Sequence, residues 1–142
     1  MKFLTDLGIT VKNEDLLMEA LTHSSYANEQ SNTKYYERLE FLGDAVLQLA
    51  SSDYFYKKYD LSEGEMSKVR ASYVCENALY EYSKGLDLSK YIKVGHGEEL
   101  DGGRFKKVIL ADIFEALMGA IYLDLGFNTA KRVILDIIVP YI

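Results

Sequence analysis

Apolar residues recur at three- and four-residue spacing along almost the whole chain, alternating β-branched runs are scarce, and Pro140 is the single proline. That periodicity predicts an all-α protein with no sheet. Asn13 is expected to cap a short helix whose apolar stripe is Leu16, Leu17, Ala20 and Leu21. Thr22, His23, Ser24 and Ser25, with the polar stretch 28–33, read as a loop, and a long helix is expected over about 35–59. Ser62 and Glu65 have capping-box spacing for a third helix, to about residue 73. A fourth runs over about 76–84, where Gly85 can end it. Gly95, Gly97, Gly102 and Gly103 mark an irregular segment. A strongly apolar helix follows over about 106–125, closed by Gly126, and Asn128 is expected to cap a last helix reaching about residue 138. Without a repeat, a low-complexity tract or a linker, residues 1–142 read as one domain.

Two of these helices carry acids in places that need explaining. With Glu37 set at zero and a turn of 100° per residue, Glu40 falls at about 300° and Asp44 at about 340°, so the three share one narrow face. Leu39, Leu42, Val46, Leu49 and Ala50 fall between about 120° and 220°, a stripe expected to be core, with the carboxylates pointing away from it. Alone, this is an ordinary amphipathic helix with a solvated acidic face. The apolar helix is different: Ile109, Leu110, Ile113, Phe114, Leu117, Met118, Ala120 and Ile121 cover most of its wheel, so it should be central and buried. Asp112 and Glu115 lie three residues apart on one edge of it, in line with the small residues Ala116 and Gly119, which would let another helix approach closely. Carboxylates placed there need cations or basic partners, because burying an unpaired one costs several kcal/mol. The helix that most simply forms the opposite wall is itself acidic, which favours cations. Oxygen donors suit Mg²⁺ or Mn²⁺, and the lack of a His or Cys cluster disfavours zinc.

Composition adds limits. With 142 residues, 49% of them hydrophobic, the chain is long enough for one packed core. No apolar stretch approaches the ~20 residues that span a bilayer, and residues 1–10 lack a secretion-signal pattern, so no membrane association and a cytoplasmic location are expected. Cys75 has no cysteine partner and is expected to be a small core residue on a helix. A net charge of −6 argues against a binder held to nucleic acid by a basic surface, unless several of the acids carry cations and so change the field a phosphate meets.

The string Tyr36-Glu37-Arg38-Leu39-Glu40-Phe41-Leu42-Gly43-Asp44-Ala45-Val46-Leu47 resembles the signature of the ribonuclease III family. Further strings follow in family order: Leu21 to Tyr26, Ser62-Glu63-Gly64, Lys68 to Ala71, Gly97-Glu98-Glu99 and Ile109 to Leu117. The resemblance implies a catalytic domain that cuts double-stranded RNA in rRNA and mRNA maturation, leaving 5′-phosphate and 3′-hydroxyl ends with short 3′ overhangs. By position, Glu40, Asp44, Asp112 and Glu115 match the metal-centred set, with Asp44 and Glu115 as catalytic residues and Mg²⁺ (or Mn²⁺) as cofactor. Glu37 and Glu63 match supporting acids of the cleft. Val108 stands where many members have serine, and Arg104-Phe105 precedes Lys106-Lys107 where a polar residue is more usual.

Phe41, about 40° from Glu37 on the wheel, borders the acid strip and wants an apolar partner. The resemblance implies a homodimer in which it enters the neighbour's apolar pocket. Lys68, Arg70, Arg104, Lys106 and Lys107 are candidate phosphate contacts, the last three just before the helix bearing Asp112. His23 and His96 are expected in loop or structural roles, and the twelve tyrosines at core edges and surface. A separate double-stranded RNA-binding domain often follows the catalytic one in this family, and none lies within these 142 residues. The rival expectation is a non-catalytic relative that grips duplex RNA without cutting it. Such relatives usually lose members of the acid set, which is intact here.

Overall fold

The computed structural model describes residues 1–142 and contains nine α-helices. They are α1 (Lys2–Asp6), α2 (Glu14–Ala20), α3 (Ser24–Ala27), α4 (Glu37–Lys58), α5 (Glu63–Tyr73), α6 (Glu76–Gly85), α7 (His96–Leu100), α8 (Lys107–Leu125) and α9 (Phe127–Ile138). There is no sheet. One isolated bridge pairs Thr22 with Lys93.

Local chemistry accounts for the long elements. The Asn13 side chain accepts from the Leu16 N–H at the start of α2. At α5 the Ser62 and Glu65 side chains each accept from the other's backbone N–H, a complete capping box. The α9 start differs from expectation: Gly126 holds the N-cap position, and Asn128 lies inside the first turn. Three short helices lie outside the sequence reading. In α1, Phe3 plugs the core at 1% exposure. In α3, within the stretch read as loop, the His23 side chain caps the helix by accepting from the Ser25 N–H at 3.1 Å. In α7, within the glycine-marked segment, five residues form barely more than one turn.

The apolar helix α8 is the centre of the fold. Ile109, Leu110, Ile113, Phe114, Leu117 and Met118 are all buried, and α2, α4, α6 and α9 pack around them. The most extensive of these pairings is α4 with α8. On α4 the buried stripe is Leu39, Gly43, Val46, Leu47 and Ala50, whereas Leu49 is 58% exposed and Leu42 is half-buried. The core face is therefore rotated from its expected position toward the acid strip, because glycine permits contact at position 43 that a hydrophobicity pattern does not register. Cys75, expected in the core, is exposed at the N-cap of α6.

Candidate metal centre

The α4–α8 crossing is built on two glycines. A Cβ added at Gly43 would lie 1.6 Å from the Glu115 carbonyl oxygen, and one at Gly119 would lie 2.5 Å from that of Leu39. Only hydrogen at these positions lets the backbones come this close. Glu40 and Asp44 project from α4 one turn apart, and Asp112 and Glu115 occupy the facing edge of α8. Carboxylate oxygens of Glu40, Asp112 and Glu115 lie within 4.8 Å of one another, a donor set that can hold one metal ion. Asp44 stands outside this triad, more exposed and beside Glu115.

The electrostatics of these acids would favour a cation among them. Burial pushes the Glu115 carboxyl up to about 8, aided by Asp44, Glu40 and Asp112. Burial, with the Asp112, Glu37 and Asp44 charges, pushes Glu40 up to about 7. Asp112 is raised by burial and by the charge of Glu76, while hydrogen bonds from Tyr36 and Glu40 pull it back. No Lys or Arg forms an ion pair with any of the four acids. The basic partners that would have made this a structural cluster are absent. The half-buried carboxyls are instead raised above the usual carboxylate range, and a hard divalent cation would displace the protons they keep.

Other expected residues are less concentrated. Glu37 is exposed in the first turn of α4, within electrostatic reach of Glu40. Glu63 is not brought to the triad. It sits at the start of α5, accepts from the Ser67 hydroxyl at 2.9 Å, and lines a separate cavity of about 400 Å³ with Leu49, Tyr56 and Arg70. Arg70 donates to the Ser52 hydroxyl, and Lys68 is exposed. Arg104 is held by Glu99 and the Ser89 carbonyl, and Lys106 by Glu98 and Asp101, so these two serve the local fold. Lys107 reaches Asn77 and lies 5.3 Å from the Tyr80 ring centroid. His96 is exposed at the start of α7. His23 lies closer to the site than its spacing implied, with its ring 5.8 Å from that of Tyr36.

Two residues near the acids escaped the sequence reading. Tyr36 donates its hydroxyl to Asp112 Oδ2 at 3.1 Å, and Glu76 at the start of α6 adds its charge. Tyr36 carried a readable signal: it stands four residues before Glu40, on the acid side of the wheel, and a buried tyrosine needs a hydroxyl partner. Glu76 carried none, because its proximity depends on how α6 packs on α8.

Phe41 is 84% exposed. It borders a groove of about 660 Å³ lined also by Leu16, Leu42 and Leu123, with Glu19 and Arg38 at its edges.

An all-helical domain whose two most extensively packed helices converge carboxylates on one site that could hold a cation belongs to a class of acid-centred helical proteins. Residues 13–142 match the family described as Ribonuclease-III-like, and the chain belongs to that family. It is similar to Ribonuclease 3 of Clostridium acetobutylicum, 58% identical over 130 residues that cover 91% of this chain and 56% of that protein. It is 49% identical to Ribonuclease 3 of Listeria monocytogenes over 96% of this chain and 61% of that one. The chain thus spans somewhat more than half the length of the curated relatives it matches. Among solved structures it is similar to the nuclease domain of ribonuclease III from Campylobacter jejuni, with 40% identity, a TM-score of 0.89, and coverage of 98% of this chain and 95% of that one. That structure is described as showing flexibility in a region involved in dimer formation.

Proposed function

We propose that the chain is a metal-dependent endoribonuclease domain that hydrolyses phosphodiester bonds of double-stranded RNA, leaving 5′-phosphate and 3′-hydroxyl ends with short 3′ overhangs, and that it acts as a homodimer in RNA maturation. One observation carries this reading: Glu40, Asp112 and Glu115 converge within 4.8 Å across a glycine-packed crossing, with no Lys or Arg ion-paired to them. The relatives named Ribonuclease 3 support the substrate class.

In this reading Glu40, Asp112 and Glu115 hold the ion, and Asp44, beside Glu115, completes the acid set. A bound Mg²⁺, or Mn²⁺ in its place, supplies Lewis-acid activation of water and neutralises charge at the phosphodiester. The Glu40 and Glu115 carboxyls give up the protons they keep near neutrality when the ion enters, so loading favours higher pH. Water is the nucleophile, so no serine or cysteine is required, consistent with Cys75 lying exposed at the start of α6. Glu37, within electrostatic reach of Glu40, is a supporting acid of this site, and Glu63 is a supporting acid of the cleft away from the triad. Lys68, Arg70 and Lys107 are the phosphate contacts this reading retains, since Arg104 and Lys106 are tied up by acids.

Phe41 is the dimer contact, seated in the partner's copy of the groove lined by Leu16, Leu42 and Leu123. An aromatic left 84% exposed beside such a groove is a self-complementary patch of the kind twofold interfaces use. No helix of the chain is long and apolar enough to cross a membrane.

The test is to incubate end-labelled duplex RNA, single-stranded RNA and duplex DNA with the protein in Mg²⁺, and then with EDTA. Cleavage is expected for duplex RNA alone, and EDTA should stop it. Binding of duplex RNA without cleavage under any metal condition would instead make the chain a non-catalytic grip.

A further inference from the structure

Tyr36 occupies an unusual place for an aromatic residue. It is the N-cap of α4, immediately before the acid strip, and only 5% exposed. Its position is fixed twice through the backbone: its N–H donates to the Thr22 carbonyl at 3.0 Å, and its own carbonyl accepts from the Glu40 N–H at 2.8 Å. The Thr22 segment is itself held, because the His23 N–H donates to the Lys93 carbonyl and the Lys93 N–H to that of Leu21. The His23 ring lies beside the Tyr36 ring, with centroids 5.8 Å apart. Out of this anchored frame the Tyr36 hydroxyl reaches across to α8 and donates to Asp112 Oδ2 at 3.1 Å.

We propose that Tyr36 is a positioning residue for the metal centre, its hydroxyl fixing the rotation of the Asp112 carboxylate relative to Glu40 and Glu115. The inference rests on the metal reading above. Its physical basis is that a carboxylate on a helix edge rotates freely about its terminal bond unless a donor holds one oxygen. Here the donor comes from the residue that starts the neighbouring acid helix, so a single hydrogen bond ties the α8 half of the donor set to the α4 half. Hydrogen bonds of this type to metal-binding side chains commonly govern affinity as strongly as a weak ligand does. The bond also satisfies a buried phenol that otherwise has no partner, whereas the half-buried Asp112 carboxylate stays partly open to water.

The experiment compares Mn²⁺ binding by wild type, Tyr36→Phe and Tyr36→Leu, using calorimetry or the free-Mn²⁺ spin-resonance signal, with metal-free melting recorded for each. Tyr36→Phe keeps the ring packing and removes only the hydroxyl. It is expected to weaken Mn²⁺ binding about 10-fold, within the range usual for lost second-sphere partners, while its metal-free melting temperature stays close to wild type. If ring packing alone matters, Tyr36→Phe will bind Mn²⁺ like wild type and only Tyr36→Leu will lose affinity, which overturns the inference. If wild type itself binds no Mn²⁺, the metal reading fails and the inference with it. The wild-type titration thus separates the two failures.

Discussion

Replacing Gly43 by alanine tests whether the helix crossing builds the metal centre. The added methyl carbon would sit 1.6 Å from the Glu115 carbonyl oxygen, against 3.4 Å for an ordinary contact, a shortfall of about 1.8 Å. The obstacle is backbone, so it cannot rotate away, and α4 and α8 must part locally by a comparable distance. Overpacking of this kind costs roughly 1–3 kcal/mol, and its backbone character puts it at the upper end. Alanine regains up to ~1 kcal/mol of helix propensity over glycine. The clash should win by about 2 kcal/mol, which for a domain of this size lowers the melting temperature by about 6 °C. The effect on the site is larger. Two oxygens bound to one Mg²⁺ lie at most ~4.2 Å apart, and the triad starts within 4.8 Å, so parting the helices moves Glu40 out of joint reach with Asp112 and Glu115. Calorimetric titration with Mn²⁺ should show affinity reduced more than ~10-fold, a loss on the scale of a disturbed ligand shell. A Gly43→Ala protein that melts at or above the wild-type temperature and binds Mn²⁺ normally would refute the account of the crossing.

The remaining predictions concern charge, assembly and the fourth acid. Glu40 and Glu115 hold protons up to about 7 and about 8, above the 4.5 of an unperturbed glutamate. Below pH 4.5 both are protonated folded or unfolded. As pH rises toward 8 the unfolded chain releases protons that the folded chain keeps, so metal-free stability should fall across that window. Allowing for solvent screening of these half-buried groups, the fall is about 2–4 kcal/mol. Denaturant melts at pH 5, 6.5 and 8 would reveal it, saturating Mg²⁺ should flatten it, and a flat metal-free profile contradicts the placement of these acids. Phe41→Asp should yield monomers in light scattering, because two buried phenylalanines contribute roughly 3–6 kcal/mol to a twofold interface; an unchanged dimer mass excludes this contact. Asp44→Asn should keep the fold and reduce cleavage of duplex RNA at least ~100-fold through loss of charge at the site, and near-normal turnover would remove Asp44 from the acid set.

Much of this was legible in the chain because the long helices advertise themselves through periodicity and caps. Ser62 and Glu65 form the expected box, Asn13 caps α2, and α8 is buried over most of its wheel, as its apolar residues implied. The close approach of α8 to its neighbour was readable from Gly119 and Ala116. Its counterpart Gly43 was not, since glycine leaves no mark in a hydrophobic pattern, and the core face of α4 was set one residue off as a result: Leu49 is exposed where Leu47 is buried. The helices α1, α3 and α7 have four or five residues each and are held by tertiary contacts and the His23 cap, not by their own propensity. Glu63 was grouped with the acids by resemblance, yet within one chain it lies on another cavity. Lys106 and Arg104, candidate phosphate contacts by sequence, are paired with acids of the preceding segment, a pairing that composition does not show.

The central claim, that Glu115 and its neighbours make this a metal-dependent nuclease domain, is tested most directly by single-turnover cleavage of duplex RNA with wild type and Glu115→Gln in saturating Mg²⁺. The substitution keeps the shape of the side chain and removes its charge, so the metal-free variant should be at least as stable as wild type. Its cleavage rate should fall by about 100-fold or more. A Glu115→Gln protein that cuts duplex RNA at the wild-type rate would contradict the account.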